Sequence, residues 1–306
     1  MKVILAKPRG FCAGVERAIN CVETALERYG PPVYVLNDIV HNALVVNDLR
    51  AKGAVFVKDL SEVPPNAHLL FSAHGVAPDK WREAEARHLH VVDATCPLVE
   101  KVHNEARRFS AEGYVIVLIG EAGHDEVRGT KGWAPGNIRV LFTEEEIDDL
   151  DVPDGAPVAY ITQTTLSAGD CQRVVEALKR RFPTIEAPCA ADICYATQNR
   201  QKTVNTLAPD VDLVLVVGDR ESANSNRLAG ICRALGKPSH LISSAAAIDD
   251  AWLEGVDRVL VTAGASAPES LVQGVIEYLR AGWSCEVVEE EVVPENVHFQ
   301  LPPMLA

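Results

Sequence analysis

The segment PRGFCAGVERAI, residues 8–19, lies where a buried strand gives way to an amphipathic helix. The apolar run at residues 3–6 before it is typical of a strand. After Cys12, apolar residues recur at three- and four-residue steps from Val15 to Tyr29, which predicts a helix. We therefore expect Cys12 in the first helical turn, where unpaired N–H groups and the positive end of the macrodipole favour a thiolate.

Two further cysteines have the same setting. Cys96 follows a short apolar run at residues 91–92 and precedes Pro97, which is favoured at the first helical position. Cys194 also stands ahead of a helical stretch. Three thiols at three helix starts indicate a metal centre. Cys189 forms a C-x4-C pair with Cys194, a spacing that occurs in iron–sulfur proteins, so a ligand set with Cys189 stays open.

Length and composition bound the class of protein. The chain has 306 residues, 47% of them hydrophobic, which leaves room for two or three domains. Its net charge of −14 argues against nucleic acid or an anionic membrane as the main partner. Without a signal peptide or a run of about 20 apolar residues, the expected location is cytoplasmic. Its eight cysteines then argue against a disulfide framework.

A short apolar strand, a loop with polar residues and an amphipathic helix alternate along the chain. This rhythm predicts an α/β fold of mostly parallel sheets, in three similar lobes, with ligands at the carboxyl ends of the strands. The expected lobes are residues 1–96, 97–193 and 194–282, followed by a C-terminal strap at 283–306. Whether the N-terminal strand within 1–13 packs with the third lobe stays open.

Polar residues that follow the strands predict an anion site. Helix starts and histidines bind phosphate, and a set of such donors would suit a diphosphate. The candidates are His41, His74, His124, Ser222, Asn224 and Ser266. The same residue types are also ordinary loop and N-cap residues. A zinc site made of the three histidines is the rival interpretation, because three imidazoles with one open position form a known catalytic arrangement.

One carboxylate and one hydroxyl complete the candidate site. Glu126 stands two residues after His124, where acidic residues commonly complement the helix dipole. Beside a metal and a phosphate cavity, the same carboxyl group could deliver a proton. Thr164 follows the strand at residues 158–161, and we expect its hydroxyl to reach the cavity.

Together these segments resemble one family, the 4-hydroxy-3-methylbut-2-enyl diphosphate reductases of the methylerythritol phosphate route to isoprenoids. The matching segments, in chain order, are PRGFCAGVERAI, VHN (40–42), FSAHGV, DATCPLVEKVH, GHDEVRGT, ITQTTLS, DICYATQNRQ, SANSNRL and TAGASAPESLV. The resemblance implies three α/β lobes around a central 4Fe–4S cluster, one cluster per chain.

The resemblance also implies a role for each candidate residue. Cys12, Cys96 and Cys194 match the three cluster ligands, and the fourth iron is left open for the substrate hydroxyl oxygen. The six polar residues match positions that hold the diphosphate. Glu126 matches the proton donor, with Thr164 and His124 beside it. Ala223 departs from the serine that relatives often carry there, so only its backbone N–H could contribute.

The implied reaction is reductive dehydroxylation of 4-hydroxy-3-methylbut-2-enyl diphosphate to isopentenyl and dimethylallyl diphosphate. Two electrons pass singly through the cluster, and Glu126 protonates the departing oxygen. An electron-donor protein of the ferredoxin or flavodoxin type is expected, because the sequence lacks a G-x-G-x-x-G fingerprint. Two alternatives remain: a zinc-dependent hydrolase using His41, His74 and His124, and a non-catalytic iron–sulfur sensor.

Overall fold

Strands and helices alternate along almost the whole chain, and the computed structural model describes residues 1–306. The strands are β1 (Lys2–Lys7), β2 (Val33–Leu36), β3 (Ala54–Val57), β4 (His68–Phe71), β5 (His90–Asp93), β6 (Val115–Ile119), β7 (Ile138–Leu141), β8 (Val158–Thr162), β9 (Leu213–Val217), β10 (Ser239–Ile242), β11 (Arg258–Ala263) and β12 (Glu286–Glu291). The helices are α1 (Ala13–Tyr29), α2 (Ala43–Ala51), α3 (Pro78–Ala86), α4 (Pro97–Ala111), α5 (Asp125–Gly132), α6 (Ala168–Arg181), α7 (Tyr195–Leu207), α8 (Ala223–Ala234) and α9 (Glu269–Gly282).

The strands form three sheets, and all neighbouring strands within each sheet are parallel. Their orders are β10-β9-β11-β1-β12, β3-β2-β4-β5 and β7-β6-β8. Parallel neighbours need a crossover connection, which the intervening helices supply. The predicted α/β class with parallel sheets is thereby confirmed. The expected lobe boundaries stay a prediction.

The chain divides into two compact units, the first of which comprises residues 1–15, 41–45 and 195–298. It contains the five-stranded sheet, with β1 between β11 and β12. Alternate residues of β1 enter separate apolar clusters: Val3 packs with the residues of α9, and Ile4 with those of α7 and α8. Because both faces of the sheet are covered, its central strands β9, β11 and β1 are continuous apolar runs rather than alternating ones.

The second unit comprises residues 16–40, 46–194 and 299–306 and contains the other two sheets. In one of its cores, Val102, Ala106 and Phe109 of α4 pack against the strands β6 and β8. These three residues lie at the three- and four-residue steps that define one face of a helix. This packing fixes α4, and with it the residue before the helix, Cys96.

The helix starts lie where the sequence places them. Helices α1, α4 and α7 begin one residue after Cys12, Cys96 and Cys194, so the predicted helix starts are confirmed. Cys12 itself lies just before the first helical turn, in which we expected it. Proline occupies the first position of α4, where its missing N–H leaves no donor unpaired. None of the helices has both the length and the apolar character that a membrane crossing requires.

Candidate functional site

None of the eight cysteines forms a disulfide, and the surroundings of seven of them separate these residues into groups. Burial raises the pKa of Cys21 and Cys232 to about 11 and that of Cys171 to about 12, so these three remain protonated structural thiols. Cys12, Cys96 and Cys194 are half-buried and stand directly before helices. Cys189 is exposed. The residues at the three helix starts therefore offer the sulfur donors that iron–sulfur clusters use.

Glu126 is a fully enclosed carboxyl group in the second unit. It lies in the first turn of α5 but is only 2% exposed, unlike the usual acidic residue at a helix start. Its Oε1 accepts the backbone N–H of Thr164 at 2.7 Å, and its Oε2 lies 2.9 Å from the Thr164 hydroxyl. Burial outweighs these two bonds and raises the pKa of Glu126 to about 7. The group is therefore poised to hold or release a proton near neutral pH.

Thr164 connects this carboxyl group to one of the cysteines. Its carbonyl oxygen accepts the backbone N–H of Cys194 at 3.0 Å, while its own N–H and hydroxyl face Glu126. A single residue after β8 thus positions both the acid and the thiol. The Thr164 hydroxyl, which we expect to reach the cavity, has Glu126 as its partner.

His124 and His74 lie at the start of the helix that carries Glu126. His124 is the N-cap of α5, and its Nδ1 accepts the backbone N–H of Glu126 at 3.2 Å. In a neutral ring this contact leaves the proton on Nε2, which is then a donor. The His74 ring meets that of His124 edge-on, with centroids 5.8 Å apart, and its Nδ1 lies 3.3 Å from the Ser72 hydroxyl.

In the first unit, the hydroxyl candidates gather at the carboxyl ends of β9 and β11. Ser222 caps α8, and its Oγ accepts both the backbone N–H of Ser225 at 3.3 Å and the Ser225 hydroxyl at 3.0 Å. The Ser266 hydroxyl lies 3.3 Å from the Ser222 Oγ and donates to the carbonyl oxygen of His41 at 3.1 Å. Gly264 packs so closely on Ser225 that a Cβ there would overlap its hydroxyl.

Asn224 carries a buried side-chain amide in this unit. The residue is 4% exposed, yet neither its side-chain nitrogen nor its oxygen has a hydrogen-bond partner. A buried amide without partners costs about 1–3 kcal/mol, so a polar group that reached Asn224 would be favoured there. The adjacent Ala223 is the first residue of α8 and presents no polar side chain.

The candidates thus fall into two connected sets. In the second unit, His74, His124, Glu126 and Thr164 form one chain of contacts that reaches the backbone of Cys194. In the first unit, Ser222, Ser266 and the His41 carbonyl are linked, and the Cys12 N–H donates to the Ala265 carbonyl at 3.2 Å. Cys96 is tied to the segment before His74, because its N–H donates to the Ala73 carbonyl at 3.0 Å. The site roles of all these residues remain predictions.

Several supporting residues escape prediction from the sequence. Ser225 supports Ser222, Arg200 bonds to the loop before Cys12, and Lys101 pairs with Asp192 two residues before Cys194. Each lies in or beside a segment that resembles the family, yet its type alone gives no signal. For Arg200 and Lys101, only the pairing of distant segments reveals the partner.

Comparison with known proteins identifies the family. Residues 3–280 match the model of the family described as LytB protein. A relative from Zymomonas mobilis named 4-hydroxy-3-methylbut-2-enyl diphosphate reductase is 53% identical over 305 residues, covering 100% of this chain and 90% of the relative. One from Rhodopseudomonas palustris, named 4-hydroxy-3-methylbut-2-enyl diphosphate reductase 1, is 53% identical and covers 99% of both chains.

A solved structure carries the same fold. The E-1-hydroxy-2-methyl-but-2-enyl-4-diphosphate reductase from Plasmodium falciparum has a TM-score of 0.97 and 38% identity, with 99% of this chain and 96% of that chain covered. The matches extend over nearly the whole chain, and the curated relatives are named as reductases. The chain is therefore an enzyme of the oxidoreductase class and belongs to the LytB protein family.

Proposed function

We propose that this enzyme converts 4-hydroxy-3-methylbut-2-enyl diphosphate to isopentenyl and dimethylallyl diphosphate in the methylerythritol phosphate pathway. The names of its relatives give the substrate class. The observation that carries the proposal is the buried Glu126 with a pKa of about 7, held by Thr164. The reaction takes up two electrons and two protons, breaks the allylic C–O bond and releases water.

Cys12, Cys96 and Cys194 would hold one 4Fe–4S cluster in this proposal. Their position before helix starts supports the assignment, since N–H groups there stabilise thiolates. The high pKa values of Cys21, Cys171 and Cys232 support their exclusion from the ligand set. When bound, such a cluster supplies electrons one at a time and a Lewis-acidic iron.

Glu126 delivers the proton that turns the departing hydroxyl into water. With a pKa of about 7, a large fraction of the group is protonated at neutral pH. The Thr164 hydroxyl, 2.9 Å from Oε2, can accept from the carboxylic acid or donate to the carboxylate. The contact therefore persists as the proton leaves. General acids of this kind contribute about 10² to 10⁴ in rate.

The diphosphate is held by His41, His74, His124, Ser222, Asn224 and Ser266, with the backbone N–H of Ala223 in place of a serine side chain. The partnerless amide of Asn224 supports this role, because an anionic oxygen would satisfy its buried N–H₂ group. Ser222, Asn224 and Ala223 also stand at the positive end of α8, which favours an anion. Electrons come from a protein donor of the ferredoxin or flavodoxin type.

The test uses protein purified without oxygen, with its iron, sulfide and zinc measured. We expect four irons per chain for the proposed cluster and conversion of the hydroxylated diphosphate to both products with dithionite and methyl viologen as electron source. Glu126→Gln should keep the iron content and circular dichroism of the parent while losing most of the turnover. Zinc in place of iron would favour the hydrolase. An intact cluster without turnover would favour the sensor.

A further inference from the structure

The C-terminal segment from residue 286 to residue 295 lies beside the segment that leads to Cys12. Strand β12 pairs with β1 from the Lys2–Glu286 pair to the Lys7–Glu291 pair. The Val292 N–H continues this contact by donating to the Lys7 carbonyl at 2.9 Å. The chain from Pro8 to Cys12 therefore leaves the sheet next to the end of β12.

Arg9 makes the first ionic contact between the two segments. One guanidinium nitrogen lies 2.7 Å from the Glu289 carboxylate, and the other lies 2.8 Å from that of Glu269 in α9. The first nitrogen also donates to the Ala6 carbonyl at 3.0 Å. With its side chain only 11% exposed, Arg9 is held on both sides, by α9 and by β12.

Arg200 makes the second contact, and it is entirely buried. Its Nη2 donates to the Gly10 carbonyl at 2.7 Å, directly beside Phe11 and Cys12. Its charge is balanced by Glu295, at 3.1 Å, which also accepts from the Asn199 amide at 2.9 Å. A buried guanidinium needs such a partner, because an uncompensated charge is strongly destabilising there.

The loop is constrained from its other side as well. Gly10 has a φ of +66°, and a Cβ there would lie 3.1 Å from the Ala267 carbonyl oxygen. The Gly10 and Cys12 N–H groups donate to the carbonyls of Ala263 and Ala265. The backbone before Cys12 is thus enclosed between residues 263–267 and the two arginines.

We propose that residues 286–295 act as a positioning strap for Cys12, with Glu289 acting through Arg9 and Glu295 acting through Arg200. Both are positioning residues, since neither carboxylate contacts Cys12 itself. The inference rests on the proposed function in one respect, that Cys12 is a cluster ligand. The position of the Cys12 thiol can nevertheless be measured without the cluster.

The test compares Glu295→Gln and Glu289→Gln with the matched control Glu286→Gln. Glu286 lies on the same strand, is exposed, and its carboxylate makes no ion pair. The first measurement is the rate of alkylation of Cys12 by iodoacetamide in cluster-free protein, mapped by peptide mass spectrometry with Cys96 as internal reference. The second is the rate at which the visible absorbance of the cluster is lost in air.

We expect Glu295→Gln to speed alkylation of Cys12 and loss of the cluster severalfold, with Cys96 unchanged. Glu289→Gln should act in the same direction but less, because Arg9 keeps Glu269. Because Glu269 still balances the charge of Arg9, this substitution leaves no buried charge uncompensated, and it tests the strap even where Glu295→Gln folds poorly. Rates equal to those of Glu286→Gln in the folded variants would overturn the proposal. Faster alkylation of Cys12 with an unchanged cluster would instead contradict Cys12 as a ligand.

Discussion

At the scale of single residues, Glu126 shows how burial changes the chemistry of a common residue. An acidic residue in the first turn of a helix ordinarily stays ionised and complements the dipole. Here the side chain is 2% exposed, and burial raises its pKa to about 7 despite two hydrogen bonds from Thr164. The sequence places Glu126 at a helix start, but its enclosure depends on residue 164, which lies 38 positions away.

Because of this raised pKa, the free energy of unfolding should depend on pH. The pKa of Glu126 is about 7 in the folded protein, against an ordinary value of 4.5. Between these two pH values, the folded state therefore binds more protons than the unfolded state. The free energy of unfolding should therefore fall by up to about 3 kcal/mol as pH rises through that window. Glu126→Gln should remove this part of the slope. Urea unfolding of both proteins from pH 5 to pH 8 measures it, and parallel curves would contradict the raised pKa.

Thr164→Val isolates the hydroxyl contact at the same site. The substitution removes the donor to Oε2 but keeps the backbone N–H bond to Oε1. Because both bonds lower the pKa of Glu126, losing one should raise it further. The alkaline limb of the pH profile of kcat/KM should move to higher pH, while Thr164→Ser should retain the parent profile. A shift towards lower pH would contradict the assigned contact.

At the scale of elements, helix α4 connects two of the candidate ligands. Cys96 is its N-cap, and one turn later Lys101 forms an ion pair with Asp192 at 2.7 Å. The other Asp192 oxygen accepts the Thr162 N–H at 2.8 Å, at the end of β8. Cys194 follows two residues later, so this ion pair fixes the loop before Cys194 against the helix that carries Cys96.

Lys101→Met should destabilise the protein because it leaves Asp192 buried without its cation. Burial already raises the pKa of Asp192 to about 6 with Lys101 present. Since the Lys101 side chain is 28% exposed, we expect a loss of about 1–3 kcal/mol at pH 8. Adding Asp192→Asn should recover part of it. Urea unfolding measures both, with Lys58→Met as the control, because that exposed lysine lies 3.9 Å from Asp38. An equal loss in the control would refute the pairing.

At the scale of the whole molecule, local patterns predict the elements and distant pairings complete the site. The strand–helix rhythm and the helix starts after Cys12, Cys96 and Cys194 follow from periodicity and capping, which act within a few residues. The pairs Arg200–Glu295 and Lys101–Asp192 join positions about ninety apart, and so depend on strand order. Nothing in the type of Glu295 indicates a buried arginine as its partner.

The last prediction concerns the three thiols together. Replacing any one of them by serine (Cys12→Ser, Cys96→Ser or Cys194→Ser) should lower the iron content and the thermal midpoint. The proposed cluster would bind the folded chain and not the unfolded chain, so losing it lowers the free energy of unfolding. Cys189→Ser is the matched control: that residue is exposed and forms the C-x4-C pair with Cys194. Its iron content and midpoint should equal those of the parent, measured by iron assay and scanning calorimetry without oxygen. If Cys189→Ser loses iron as Cys194→Ser does, Cys189 belongs to the ligand set and the favoured assignment is wrong.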